Sequence, residues 1–468
     1  MYFLGRILPG AFSLLALAIY TRLMSANEYG QYVLVIASMS IVNAACFGWL
    51  NLSLDRFFAI HIGRPKTLLS TILVGFLSLC AVTGVIAGCL AWLWPETTLR
   101  WAIVLTVFIA WAQAWFELNL RVANVSLAPR RYGLLATAKA TLILGAGLFL
   151  FYLGFGVIGI LLGQVIGTLI STLLVRNDWG AISASQYDAG LFRDMIGYGL
   201  PAAVTIMLVL ILDVSDRFLL GWLLDAQAAG TYAAAYDLTQ QSLGALMGVV
   251  HLAGFPLAVR ALEEGGLHAA REQLRQTSFI LLSVALPATA GIILLTDNIA
   301  YTLLGTEFRS EAARLIPYIG IAIFFWGTKL FYFDYAFQLT RRTKLQVWPV
   351  AFAALLNILL NLLWIPKYGS LGAVYATLVA FVVGAGMTWF VGRRIFLYPR
   401  LHQETYKVIL AVLAMAAGLW TSSDWRGAWA LICQISIGIS VYLLIAIGLN
   451  TKGARLEIWT WIMRRAAK

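Results

Sequence analysis

Residues 156–175 read Gly-Val-Ile-Gly-Ile-Leu-Leu-Gly-Gln-Val-Ile-Gly-Thr-Leu-Ile-Ser-Thr-Leu-Leu-Val, without one charged side chain. A helix of that length rises about 30 Å, the thickness of bilayer hydrocarbon. Lipid offers the backbone no hydrogen bonds, so such a stretch crosses as a helix or in a closed barrel. A barrel would alternate apolar and polar residues in strands of about ten, and here the apolar residues come in unbroken blocks. Gly159, Gly163 and Gly167 recur at every fourth position, a face that lets a second helix approach closely.

Blocks of this kind recur along the chain, at about 2–23, 30–51, 68–94, 99–120, 132–153, 156–175, 195–222, 228–254, 276–296, 313–338, 346–366, 370–392, 405–421 and 428–449. The chain is 61% hydrophobic and 12% charged. A soluble protein carries about 25% charged residues, and half that density cannot cover a water-facing surface. The expected fold is an all-α polytopic membrane protein with 14 transmembrane helices. The first block ends at Leu23-Met24-Ser25-Ala26, has almost no basic leader and is long enough to span. It is expected to stay as the first helix rather than be cleaved.

The basic residues test the count. One alternating set of connections, with the C-terminal tail, holds 23 of the 33 Lys and Arg residues, among them Arg56, Arg64, Arg130, Arg131, Arg176, Arg260, Arg341, Lys344, Arg393 and Lys452. The opposite set holds six: Arg22, Arg100, Arg309, Arg314, Lys367 and Arg426. A wrong count would scramble this pattern beyond the error. The positive-inside rule then places both termini in the cytoplasm. The formal charge of +12 reads as topology determinants beside anionic lipid and gives no support to a nucleic-acid partner.

Cys46, Cys80, Cys89 and Cys433 all fall inside apolar blocks without CxxC spacing, so neither a metal site nor a disulfide framework is expected. No Walker A loop, HExxH or GxSxG occurs. The connections reach about 20 residues at most, too short for a catalytic domain. No catalytic residue, metal or cofactor is expected.

The chain also repeats itself. Phe155-Gly156-Val157-Ile158-Gly159 closes one apolar helix and opens another, and Tyr368-Gly369-Ser370-Leu371-Gly372 does the same 213 residues later. Glu28-Tyr29-Gly30-Gln31-Tyr32 resembles Ala228-Ala229-Gly230-Thr231-Tyr232 at an offset of 200. Helices 1–6 and 7–12 read as two related six-helix bundles around a central cavity, with helices 13 and 14 appended. The expected domains are an N-terminal lobe at 1–190, a C-terminal lobe at 191–400, and two extra helices with a basic tail at 401–468. An even number of spans in each half gives the repeats one orientation, related by an axis along the membrane normal.

Leu356-Asn357-Ile358-Leu359-Leu360-Asn361-Leu362-Leu363-Trp364-Ile365-Pro366-Lys367-Tyr368-Gly369-Ser370-Leu371-Gly372-Ala373 resembles the helix 11 to 12 junction of polysaccharide flippases. Tyr198-Gly199-Leu200-Pro201, Asp216-Arg217 and Ala229-Gly230-Thr231-Tyr232 resemble the start of their second half, and Thr21-Arg22-Leu23-Met24 through Gly30 their first loop. These are the Wzx-type members of the multidrug/oligosaccharidyl-lipid/polysaccharide exporter superfamily. The resemblance covers nearly the whole chain. It implies two lobes, alternating access and an undecaprenyl-pyrophosphate-linked oligosaccharide as substrate. The implied partners are the bilayer, that lipid-linked substrate and other glycan-assembly proteins, in a bacterial inner membrane.

Four basic residues remain inside the spans: Arg6, Lys139, Arg217 and Lys329. A cation at mid-bilayer costs about 2.5–3.5 kcal/mol on insertion scales, so such a residue faces a cavity, pairs or snorkels. Arg6 and Lys139 are open to snorkelling or cavity lining, and Arg217 to a local ion pair with Asp213 or to cavity lining. Lys329 is too central to snorkel. Asp334, five residues on, is expected on a different helix face, which leaves Lys329 facing the space between the lobes. The acids Glu117, Asp213, Asp216, Asp237 and Asp334 divide between structural pairing and ion coupling. The four cations are the candidate substrate-binding residues for a pyrophosphate headgroup. Two alternatives remain: a cation-coupled drug exporter of the same superfamily, and a membrane-embedded sugar polymerase or transferase. A flippase for the peptidoglycan precursor is a near relative of the first reading.

Overall fold

The computed structural model describes residues 2–61, 65–174, 179 and 183–451, with side chains from residue 10 onward except those of 98, 184, 202 and 205. Arg64, Arg176 and the basic residues from Lys452 onward lie outside the described residues. Among the described residues every expected span is helical: α1 (Tyr2–Leu23), α2 (Ala26–Phe57), α3 (Pro65–Leu93), α4 (Thr97–Val125), α5 (Pro129–Leu150), α6 (Gly156–Leu174), α7 (Ala189–Leu223), α8 (226–265), α9 (267–294), α10 (Thr306–Leu339), α11 (Val347–Tyr368), α12 (Ser370–Gly392), α13 (Thr405–Trp420) and α14 (Ala428–Gly448). A short helix, Thr296–Leu303, joins α9 to α10. α7 bends by 49° after Pro201, whose ring removes a backbone donor.

Local chemistry sets where helices begin and turn back. Ser25 caps α2: its Oγ accepts from the Glu28 N–H, and Glu28 Oε2 accepts from the Ser25 N–H at 2.9 Å, a reciprocal capping box. The glycine face of α6 packs antiparallel on α5. A Cβ at Gly163 would lie 2.4 Å from the Gly147 Cα, and one at Gly167 2.5 Å from the Ile143 N. α8 and α9 turn back on each other at Gly266, φ 67°, so that a Cβ at Gly254 would meet Thr277.

Gly156 and Gly369 open α6 and α12 with nearly one conformation, φ 53°, ψ −136° and φ 62°, ψ −141°. This backbone region is open in practice to glycine alone. The two positions are the pair aligned by the repeat at offset 213.

Contact density divides the chain into two compact units, Met1–Gly230 and Thr231–Lys468. That is a division by packing, whereas the three-part division expected above is one by sequence kinship. The core of the first unit is aromatic and aliphatic, with Phe47, Leu50 and Leu54 of α2 against Ile72 and Phe76 of α3 and Leu118 of α4. In the second unit Trp326 of α10 stacks on Phe381 of α12 at 4.6 Å between ring centroids. α13 and α14 join that unit through Met415, Leu419 and Leu431, which pack on Leu295. Gln434 fixes α14 there: its Oε1 accepts from Asn298 Nδ2 and its Nε2 donates to the Ser422 carbonyl, both at 2.6 Å.

Candidate functional site

Each unit holds an ionic cluster among its apolar helices, half-buried in the first and fully buried in the second, and each cluster sits on a π-turn. A π-turn closes i→i+5 hydrogen bonds and so inserts one residue into an α-helix.

In the first unit the π-turn spans Asn43–Phe47 of α2. Asn43 and Asn51 are eight residues apart, which in a regular helix leaves side chains about 80° apart. The inserted residue reduces the separation to that of an i, i+7 pair, about 20°, and both amides reach α4. Asn43 Nδ2 donates to Glu117 Oε1 and Asn51 Nδ2 to Glu117 Oε2, each at 3.0 Å. Gln113, one turn earlier on α4, donates from Nε2 to Glu117 Oε1 at 2.6 Å. Its own Oε1 accepts from Lys139 Nζ of α5 at 2.5 Å. The Lys139 ammonium also lies 4.4 Å from the Phe116 ring centroid, a cation–π contact. The cluster thus joins one cation to one carboxylate through a single amide.

In the second unit the π-turn is Lys329–Phe333 of α10. Five residues of α-helix turn through about 500°, leaving side chains about 140° apart, which is why Lys329 and Asp334 were expected on different faces. The structure corrects that expectation. The Asp334 N–H donates to the Lys329 carbonyl at 2.9 Å, the i→i+5 bond, and residues five apart then stack. Lys329 Nζ donates to Asp334 Oδ2 at 2.9 Å, with both side chains 1% exposed. Gln346 Nε2 donates to the same oxygen at 2.6 Å, while Asp334 Oδ1 is buried with no hydrogen-bond partner among the described residues. The ammonium lies 4.8 Å from the Trp326 ring centroid. Tyr398 Oη donates to the Phe333 carbonyl at the end of the turn, at 2.7 Å.

The other sequence candidates lie apart from these two clusters in the chain. Asp213, Asp216 and Arg217 lie on α7 and Asp237 on α8; Asp216 is buried, the others half-buried, and each is engaged by neighbouring groups. The side chain of Arg6 lies outside the described residues. Asn43, Asn51, Gln113 and Gln346 were not among the sequence candidates. Gln113 and Glu117 stood in the sequence at helical i, i+4 spacing, a usable signal. The asparagine pair gave none, because its spacing fits only a helix with one extra residue. Among the described residues no group of His, Cys, Asp and Glu could hold a metal ion. What the two clusters offer is fixed charge in a medium that screens it weakly.

The architecture is similar to solved transporters. The lipid II flippase MurJ, in an inward closed conformation, matches with a TM-score of 0.79 at 15% identity, over 96% of this chain and 99% of that one. A multidrug resistance MATE family transporter matches in its inward-facing conformation with a TM-score of 0.64 at 14% identity, over 84% and 94%. The outward-facing conformation gives 0.58 at 14% identity, over 84% and 92%. At such identities the likeness establishes the fold. No curated protein sequence matches the chain. The family model described as polysaccharide biosynthesis protein matches residues 19–313. That stretch takes in the capped start of α2, the first cluster with its π-turn and the glycine corner at Gly156, and the chain belongs to the polysaccharide biosynthesis protein family.

Proposed function

We propose that the chain is a flippase. It moves an undecaprenyl-pyrophosphate-linked oligosaccharide from the cytoplasmic to the outer leaflet of a bacterial inner membrane, by alternating access, with both termini cytoplasmic. The family match over residues 19–313 carries this reading. The fold's likeness to a lipid flippase along nearly its whole length supports it. The two ionic clusters supply the physics. A pyrophosphate headgroup is strongly anionic and loses its hydration on entering the protein, and an amine held inside the bilayer offsets that loss. Lys139 and Lys329 are the amines in this role, with Arg217 and Arg6 as further cations. Glu117, Asp213, Asp216, Asp237 and Asp334 balance them until substrate arrives. An inside-negative potential favours outward movement of the anion by about 2.3 kcal/mol per charge per 100 mV, so the carrier needs little further coupling. The lobes at 1–190 and 191–400, with the helices of 401–468, are the moving parts of this proposal.

Deletion of the gene tests it. Lipid-linked repeat units are expected to accumulate in the cytoplasmic leaflet while surface glycan is lost. Absence of the units altogether would assign the protein to their synthesis and overturn the proposal. Lys139→Ala and Lys329→Ala, compared at equal abundance in the membrane, should each reduce transport.

A further inference from the structure

The first unit contains a cavity of about 820 Å³, lined by α2, α3, α4, α6 and α7 near the end where α2 begins. Its wall is almost wholly apolar, with Leu34 and Val42 of α2, Leu90 of α3, Ile103 of α4, Leu161 of α6 and Phe218 of α7. Two polar groups on it are turned to the protein: the Thr83 hydroxyl donates to the Leu79 carbonyl and accepts from Trp111 Nε1 at 2.9 Å, and the Ser38 hydroxyl donates to the Leu34 carbonyl at 2.8 Å. A wall this apolar gives ordered water few partners and suits hydrocarbon. Along α2 the lining runs from Gln31 to Cys46, about 22 Å of helix, long enough to take one acyl chain through a leaflet of about 15 Å. Exposed Trp92, Trp94, Trp101 and Trp222 ring the end near Gln31, which sets that end at headgroup depth.

The mouth carries both signs of charge. Glu96 lines it, and Arg100 lies one turn further along the same start of α4, its Nε donating to the Trp94 carbonyl at 2.5 Å. A carboxylate and a guanidinium one turn apart match the ammonium and phosphate of a zwitterionic headgroup. A prenyl pyrophosphate would bring its negative charges against Glu96. We infer that this cavity is a resident site for one acyl chain of a zwitterionic aminophospholipid. Which leaflet supplies the lipid rests on the topology proposed above, and its retention does not.

The test is photo-crosslinking of the purified full chain in nanodiscs that contain a phosphatidylethanolamine with a diazirine in its acyl chain. Labelling is expected on the peptides of α2 and α4 that carry Leu34 and Ile103. Ala102→Phe, which fills the cavity from a half-buried position, should cut that labelling about tenfold, corresponding to 1.4 kcal/mol of binding. Ser38→Leu is the second filling variant, should the first fail to fold. Glu96→Lys should shift preference from phosphatidylethanolamine to phosphatidylglycerol. Equal labelling in wild type and both filling variants overturns the site. Displacement of the probe by undecaprenyl phosphate, but not by unlabelled phosphatidylethanolamine, overturns the assignment of the occupant. A transport defect with labelling intact would concern the flippase reading alone.

Discussion

Lys329 Nζ and Asp334 Oδ2 lie 2.9 Å apart with both side chains 1% exposed, and the π-turn between them sets that distance. The pair is desolvated by apolar packing, so its attraction is opposed by a large burial cost. Removing one partner of such a pair costs about 3–5 kcal/mol, whereas replacing both by apolar groups is often neutral. Asp334→Asn should therefore lower the melting temperature of the purified protein sharply. The double variant Lys329→Met with Asp334→Leu should recover most of the loss. A double variant as unstable as the single one would show that the charges, rather than their balance, hold α10.

The π-turn also marks a site of tolerance. It amounts to one inserted residue in α10, so removing Leu330 converts the turn to regular α-helix and leaves Lys329 and Asp334 at i, i+4. Deleting Ile319 instead rotates every later side chain by about 100° in a buried stretch of the same helix. Membrane abundance, read by fluorescence-detected chromatography, should stay measurable for the first deletion and vanish for the second.

Glu117 accepts from Asn43, Asn51 and Gln113. Glu117→Ala leaves three amide donors without that acceptor, of which Asn51 is buried and costs about 1–3 kcal/mol if left unmet. Glu117→Gln keeps one acceptor oxygen and should cost less. Thermal melts of the two variants should separate in that order. Equal melting temperatures would mean that water replaces the carboxylate and that the cluster is not dry.

Gly156 and Gly369 share a conformation in which other residues are strained by about 1–3 kcal/mol. Gly156→Ala and Gly369→Ala should each destabilise by a similar amount. Gly386→Ala in α12, where an added Cβ meets nothing within 4 Å, should be neutral or stabilising, because alanine favours helix over glycine by about 1 kcal/mol.

Reporter fusions after residues 65, 130, 265, 343 and 400 should all report cytoplasm. The basis is the alternation of basic connections. One outer-face signal among them would break the assignment of both termini to the cytoplasm.

Much of the fold was legible because its causes are local. Hydropathy over about 20 residues fixes which segments cross, and α1 to α14 stand where such blocks lie. Gly163 and Gly167 announced a close helix contact by spacing alone, and α5 fills it. Gly156 and Gly369 announced a special corner by recurring at one offset. The clusters were not legible in this way. Helical periodicity assumes 100° per residue, and at Asn43–Phe47 and Lys329–Phe333 the chain departs from it. Nothing in an isolated apolar helix marks where an i→i+5 turn will form, because the α-helix is the locally better choice. The turn persists where tertiary packing rewards it: where Glu117 can gather Asn43 and Asn51 on one face, and where Lys329, buried against Trp326, pairs with Asp334. Sequence therefore determined which residues enter the membrane, and the packing of neighbouring helices decided which of their charges meet.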